Sequence, residues 1–111
     1  MDLGPSQVAA LASVERHGPL SPSELAKVER IKRPTATRIV RHLEEGGLVQ
    51  RVRDPGDGRA SILTVTPKGR SLLKRLRERK TAYLATRLAA LDPEDRHTLE
   101  RAAELLEGMF E

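Results

Sequence analysis

The sequence contains no cysteine and only two aromatic residues, Tyr83 and Phe110. Without cysteine, the chain has no disulfides, thiolate metal sites, cysteine nucleophiles or thiol-based redox sensors. Two aromatic side chains are too few for the stacking platforms with which proteins bind single-stranded nucleic acids. The residue types of several catalytic and binding classes are therefore missing.

Long apolar runs are absent as well, because charged residues interrupt every hydrophobic stretch. No segment is long enough to span a bilayer, and the N-terminus shows neither the basic region nor the apolar run of a signal peptide. These features predict a cytoplasmic protein with no membrane contact. The length of 111 residues suits one small domain with an appended segment.

Positive charge is concentrated in the middle of the chain. The formal net charge is +4 overall, but it is −2 over residues 1–29, +10 over residues 30–80 and −4 over residues 81–111. A basic centre between acidic ends is typical of proteins that bind a polyanion, and duplex DNA is the commonest one. The alternative is an arginine-rich surface that is merely solvated.

Apolar spacing and helix-end signals predict three helices in the first half of the chain. The first runs over residues 5–17, and the second begins after Ser21, where Glu24 completes a capping box. Leu25, Ala26 and Val28 of the second helix are predicted to point inward. The third helix covers residues 33–45, and so short a link between two helices indicates a helix-turn-helix.

After Gly47 the apolar spacing changes from the helical period to the alternation of strands. Strands are predicted over residues 48–53 and 60–66, joined by a loop of turn-forming residues over 54–58. A helix-turn-helix followed by a hairpin is the element order of a winged helix. Two strands alone are marginally stable, so the hairpin is expected to pack on the helices.

Two further helices are predicted to begin after Thr66 and Asp92, each with a proline in its first turn. The last of them carries an inner face of Leu99, Ala102, Ala103, Leu106, Met109 and Phe110. Nothing else in the chain is left to cover this apolar stripe, and a second copy of the chain would bury it. A homodimer is therefore predicted, with a tail folded back on its own winged helix as the alternative.

The predicted fold is mainly α-helical with a small β-hairpin wing, followed by C-terminal dimerisation helices. The winged helix-turn-helix domain is assigned to residues 1–66 and the helical dimerisation region to residues 67–111.

Short motifs occur along the chain in a specific order. They are Gly18-Pro19-Leu20-Ser21, Glu24-Leu25-Ala26, Pro34-Thr35-Ala36-Thr37-Arg38, Leu43-Glu44, Gly47-Leu48-Val49, Arg51, Asp54-Pro55, Asp57-Gly58-Arg59, Leu63-Thr64-Val65-Thr66 and Lys68-Gly69. In this order they resemble the MarR family of bacterial winged-helix transcriptional regulators over nearly the whole chain. Members of that family usually begin with an additional long helix. Met1 stands only a few residues before what resembles their second helix, so the chain is expected to lack the first.

Six residues at and near the start of the third helix are candidates for DNA contact: Lys32, Arg33, Thr35, Thr37, Arg38 and Arg41. The resemblance and helix geometry place this helix in the major groove. Arg38 and Arg41 have the guanidinium fork that binds guanine or phosphate. The two threonines can donate to phosphate or touch a thymine methyl group, while Lys32 and Arg33 lie at the positive end of the helix dipole. For each residue, an ordinary solvated helix surface is the alternative.

The hairpin loop supplies two more candidates. The resemblance implies that Arg59 enters the minor groove, where narrow A·T tracts concentrate negative potential, and that Asp57 orients it. An ordinary Asp-Gly turn is the alternative. Arg51 and Arg53 are further candidates for contacts with the DNA backbone.

Catalytic and metal-binding motifs are missing from the sequence. His17, His42 and His97 are too widely separated for a metal site, and no phosphate-binding loop or activated nucleophile is visible. The chain is expected to be no enzyme and to hold no cofactor or metal. The resemblance implies a small aromatic or phenolic effector, bound between the winged helix and the dimerisation helices.

These observations predict a sequence-specific regulator of transcription that binds double-stranded DNA. It is expected to be a ligand-responsive repressor that binds an inverted-repeat operator as a homodimer. The alternative is a winged helix that serves as a protein-interaction module and has only non-specific affinity for DNA.

Overall fold

The structure is a computed structural model that describes residues 3–109, except for the side chains of residues 57, 59 and 60. Phe110, predicted on the inner face of the last helix, lies outside the described residues. The elements in chain order are α1 (Pro5–His17), α2 (Pro22–Glu29), α3 (Arg33–Glu45), β1 (Val49–Asp54), β2 (Asp57–Val65), α4 (Pro67–Ala89) and α5 (Pro93–Met109). This order confirms the predicted, mainly helical winged helix-turn-helix fold with a two-stranded hairpin.

The chain divides into two compact units, and the division falls inside α4, between Arg75 and Leu76. The first unit contains α1 to α3, the hairpin and the first turns of α4. The second contains the rest of α4 and all of α5. The domain limits predicted from the sequence, residues 1–66 and 67–111, stay a prediction.

Reciprocal hydrogen bonds cap the start of α2, as the sequence predicts. The Glu24 backbone N–H donates to Ser21 Oγ over 3.1 Å, and the Ser21 backbone N–H donates to Glu24 Oε1 over 3.0 Å. Pro22 occupies the first turn, where its missing N–H leaves no hydrogen bond unmade. The hydrogen bonds from the Ser21 backbone and hydroxyl, together with the charge of Lys27, lower the pKa of the Glu24 carboxyl.

This lowered pKa predicts a dependence of stability on pH. A carboxyl group with a depressed pKa in the folded state stabilises the fold above its unfolded-state pKa, and that contribution is lost as the pH falls through the folded-state pKa. Glu24→Gln is therefore expected to flatten the decline of the thermal midpoint between roughly pH 5 and pH 3. Superimposable melting-midpoint curves for parent and Glu24→Gln over this range would contradict the role of the ionised carboxylate.

The core of the first unit is built where α1, α2, α3 and the hairpin meet. Its largest fully buried side chains are Leu11, Leu25, Val40, Leu43, Leu48 and Leu63. Full burial of each such side chain contributes about 1.5–3 kcal/mol. Ser13, the one polar residue buried among the described part of the chain, donates its hydroxyl to Glu29 Oε2 over 2.6 Å. The prediction that Val28 points inward is wrong, since Val28 is 41% exposed.

The hairpin pairs β1 and β2 antiparallel in the register Val49↔Val65 to Arg53↔Ser61, with a shift before the pair Asp54↔Asp57. The connecting turn is narrower than the loop predicted over residues 54–58, because β2 already begins at Asp57. In this turn the Gly56 N–H donates to Asp54 Oδ1 over 2.9 Å. The sequence did not predict a further strand contact, in which Leu20 and Leu63 exchange backbone hydrogen bonds of 3.2 and 2.7 Å.

The first turn of α4 lies tightly against the start of β1. The Thr66 hydroxyl accepts from the Gly69 N–H over 3.1 Å and donates to the Gly47 carbonyl over 2.6 Å. Gly69 is buried, and a Cβ atom at this position would collide with the Leu48 carbonyl oxygen. The colliding atom belongs to the backbone of Leu48, so no side-chain rotation can relieve the collision.

Gly69→Ala is expected to destabilise the first unit by about 2 kcal/mol, the usual size of an overpacking penalty. Urea unfolding followed by circular dichroism measures this loss. Gly58→Ala is the matched control, because a Cβ there meets nothing within 4 Å. Equal midpoints for the two variants would show that α4 does not approach β1 this closely.

None of the helices within residues 3–109 combines the length and the apolar character that crossing a bilayer requires.

Candidate nucleic-acid interface

The turn between α2 and α3 sets the start of α3. Arg30 adopts the left-handed conformation, with φ 55° and ψ 46°, which ends α2 in the manner of a Schellman motif. The Arg30 N–H donates to the Lys27 carbonyl over 3.2 Å, and the Ile31 N–H donates to the Ala26 carbonyl over 3.0 Å. Ile31 also packs against the core. The three-residue link over 30–32 is therefore fixed both by its hydrogen bonds to α2 and by this apolar contact.

α3 has one buried face and one exposed cationic face. Ala36, Ile39, Val40 and Leu43 are buried at the helical spacing i, i+3, i+4, i+7. The other side of the helix presents the exposed residues Lys32, Arg33, Arg38 and Arg41. Arg41 is fully part of this cationic face. Thr35 and His42 are half-buried along its edges.

The N-terminal turn of α3 is open to an anion. Lys32 is the N-cap residue, and its side chain makes no capping hydrogen bond. The helix dipole therefore places partial positive charge beside the Lys32 and Arg33 side chains. The Thr37 hydroxyl was predicted to donate to a DNA phosphate, but in the structure it donates to the Arg33 carbonyl over 3.0 Å. Its oxygen lone pairs and methyl group remain for contact with DNA.

The hairpin places two arginines on the side of the sheet that faces the helices. Arg51 lies opposite Leu63, and Arg53 opposite Ser61. The Arg51 Nε–H donates to Glu44 Oε1 over 3.0 Å. The side chains of Asp57 and Arg59 lie outside the described residues, so their predicted roles at the wing stay predictions. Their backbones belong to β2, at the turn end of the hairpin.

A cleft of about 330 Å³ opens beside the cationic face of α3. It is lined by Ser6, Gln7, Thr35, Arg38, Ile39 and His42. His42 Nε2 is buried, and within the described part of the chain it has no hydrogen-bond partner.

Among the described side chains, which leave out residues 57, 59 and 60, no three or more histidine, aspartate or glutamate residues are placed to hold a metal ion. The exposed cations Lys32, Arg33, Arg38 and Arg41 make up most of the interface. Sequence reasoning missed one of its members, Glu44, because the partner on β1 is separated from it by the end of a helix and a turn.

Comparison with known proteins agrees with this architecture. Residues 3–61 match the model of the MarR family. The uncharacterized HTH-type transcriptional regulator Mb0904 of Mycobacterium bovis is 37% identical over 101 residues, which are 91% of this chain and 71% of that protein.

Solved structures share the fold. The transcriptional regulator Tm0710 of Thermotoga maritima has a TM-score of 0.81 at 28% identity, over 96% of this chain and 75% of that one. Streptococcus pneumoniae FabT, whose structure is a complex with DNA, has a TM-score of 0.73 at 20% identity, over 98% of this chain and 76% of that one.

Proposed function

Since the chain belongs to the MarR family of transcriptional regulators, which are not enzymes, we propose that it binds double-stranded DNA with sequence specificity. The family membership confirms the prediction that it is not an enzyme. The observation that carries the proposal is the exposed cationic face of α3. It points to solvent because the opposite face of the same helix is buried in the core. We refer to α3 as the recognition helix and to the β1–β2 hairpin as the wing.

The recognition helix would lie in the major groove, with its cationic face toward the bases. An arginine in this position reads guanine through two parallel hydrogen bonds to O6 and N7. Arg38 and Arg41 are one turn apart on the exposed face, so they would reach successive base pairs or one base and its phosphate. Lys32, Arg33 and the open helix N-terminus would bind the phosphates at the groove edge.

The wing would reach the neighbouring minor groove through Arg59, oriented by Asp57. The FabT complex shows that a protein of this fold binds DNA. In this chain, Asp57 and Arg59 lie in the first three residues of β2, at the turn end of the hairpin, and this position supports the proposed use of the wing.

A homodimer would present two recognition helices to an inverted repeat. The support lies in the second unit, where α5 has no buried residue. Leu99, Leu106 and Met109 are 47%, 55% and 74% exposed and lie along one face of α5. A monomer would leave these side chains in water, whereas twofold pairing with another copy buries them. The two half-sites would then be about one DNA turn apart.

A dimer seated on an operator excludes other proteins from the same DNA, so we propose repression as its action in the cytoplasm. A small aromatic or phenolic effector would relieve it. The cleft beside the recognition helix supports this regulation, because a ligand against Arg38 and His42 would compete with DNA for the arginine. Thermal-shift screening of small aromatic acids and phenols tests the proposal, and a constitutive regulator would give no stabilising compound.

Selection of bound duplexes from a random DNA library, at two salt concentrations, tests the proposed function. The expected result is enrichment of an inverted repeat with half-sites about one turn apart, bound less tightly at higher salt. If no sequence is enriched and affinity disappears near physiological salt, the chain is a protein-interaction module with non-specific DNA affinity instead.

A further inference from the structure

One ion pair joins the recognition helix to the wing. Arg51, in β1, donates its Nε–H to Oε1 of Glu44, in the last turn of α3, over 3.0 Å. The side chains are 40% and 30% exposed, respectively. Ion pairs with this much solvent contact contribute little to stability. Stability alone is therefore a weak reason for the pair.

The pair leaves most of the Arg51 guanidinium unused. A guanidinium has five N–H donors, and the bond to Glu44 engages the single one on Nε. The four N–H groups on the two Nη nitrogens have no acceptor within the described residues. Because the carboxylate contacts the Nε–H, the far edge of the planar guanidinium, formed by one N–H of each Nη nitrogen, remains open to a second acceptor.

Arg51 also stands at a particular place between the two DNA-binding elements. Residues directly opposite each other in an antiparallel pair share a face of the sheet, and the partner of Arg51 is the fully buried Leu63. Arg51 therefore projects from the face of the wing that packs on the helices, toward the end of α3. It occupies the gap between the recognition helix and the wing.

A strand of DNA must cross this gap in the proposed complex. If the recognition helix lies in the major groove and the wing reaches the adjacent minor groove, the sugar-phosphate backbone that separates the two grooves runs between helix and wing. A phosphate on that backbone offers two acceptor oxygens at the spacing of the two Nη groups.

We propose that Arg51 binds this phosphate and that Glu44 is its positioning residue. The inference rests on the proposed function, because it requires the helix and the wing to occupy neighbouring grooves. Glu44 fixes the guanidinium before DNA arrives, so less side-chain freedom is lost on binding. The pair is thus a binding device and adds little to the stability of the fold.

The direction in which one substitution changes the DNA affinity distinguishes this positioning role from an effect of net charge alone. Glu44 is an acidic residue at the DNA surface, so its removal should strengthen DNA binding if only net charge matters. If Glu44 positions Arg51, Glu44→Gln should weaken binding although the chain becomes more positive. Glu45→Gln is the matched control, because Glu45 is the exposed neighbour on the same helix end and loses the same charge.

The experiment measures the affinity of the full chain for its enriched operator at several salt concentrations. Glu45→Gln is expected to bind as the parent or more tightly, and Glu44→Gln about threefold or more weakly. The slope of log affinity against log salt should fall by about one for Arg51→Gln. It should remain unchanged for Arg16→Gln, which removes the same charge from an exposed position in the last turn of α1, outside the helix and the wing. Arg51→Lys should not restore the parent affinity, because lysine cannot hold carboxylate and phosphate with one planar group.

A tighter or unchanged complex for Glu44→Gln, or equal salt slopes for Arg51→Gln and Arg16→Gln, would overturn the inference. Glu44→Gln combined with Arg51→Gln should bind no more weakly than Arg51→Gln alone, since one residue acts through the other. Thermal midpoints of all variants verify that they fold. If the parent itself enriches no sequence, the proposed function fails. If the parent binds its operator and Glu44→Gln is not weakened, only the inference about this pair fails.

Discussion

Leu106→Glu is expected to convert the dimer into monomers and to remove operator binding with it. Leu106 is on the exposed apolar face of α5, which in the proposed dimer packs against a second copy. An unpaired carboxylate buried in such an interface costs about 3–5 kcal/mol, and twofold symmetry introduces it twice. The dimer dissociation constant should rise at least about a hundredfold, as measured by sedimentation equilibrium.

His97→Glu is the matched control for this variant. It introduces the same acidic side chain into the same helix, but on the side of α5 opposite Leu106, where His97 is exposed. This variant should sediment as the parent does and bind the operator with nearly parental affinity. A parent that sediments as a monomer at micromolar concentration, or a Leu106→Glu variant that remains dimeric, would contradict the assignment of α5 as the dimer interface.

Arg38→Ala and Arg41→Ala are each expected to weaken specific operator binding by about tenfold or more. One good bidentate arginine contact with a base is worth about 1–3 kcal/mol, and both guanidinium groups are on the exposed face of the recognition helix. Fluorescence anisotropy with the enriched operator and with a scrambled duplex separates specific from general affinity. The specific affinity should fall more than the general one.

Arg16→Ala controls for the loss of one positive charge. Arg16 is exposed in the last turn of α1, outside the recognition helix and the wing, so its loss should change both affinities only slightly. Arg59→Ala should lower the affinity with little change in the preference for major-groove bases. If Arg38→Ala and Arg41→Ala bound like Arg16→Ala, the recognition helix would not face the DNA.

Local signals account for much of what the sequence predicts correctly. The bounds of α1 and α3 follow from Pro5 and from Gly18 and Gly46, which begin or end the helices at the expected places. The capping box of α2 depends on two residues three positions apart. Each of these features is decided within a few residues of chain, so the amino-acid pattern alone specifies it.

Features that depend on tertiary contacts could not be predicted in the same way. The bridge between Leu20 and Leu63 involves one residue on each side, too few for any periodic signal. Ser13 is buried because Glu29 on another helix accepts its hydroxyl hydrogen, and a serine by itself does not indicate burial. Val28 is apolar but exposed, because the packing of α2 on its neighbours, and not its own hydropathy, decides which face is covered.

In the candidate interface, too, the features set by local sequence could be predicted and those set by tertiary contacts could not. The cations of α3 could be assigned from the sequence, because helix geometry places residues three and four apart on one face. The pairing of Glu44 with Arg51 could not, since it depends on how β1 leaves the end of α3. The hydroxyl of Thr37 was predicted as a donor to DNA, yet it donates within its own helix, as threonine often does in helix interiors.

The measurement that tests direct reading of DNA by the recognition helix compares Arg38→Ala and Arg41→Ala with the parent on a set of operators. Each operator carries one base-pair change, made symmetrically in both half-sites. The account predicts that each variant loses discrimination at one or two positions and keeps it at all the others. If both variants bind every operator with uniformly lower affinity and an unchanged order of preference, the two arginines contact only phosphates. The recognition helix would then not read the sequence through them.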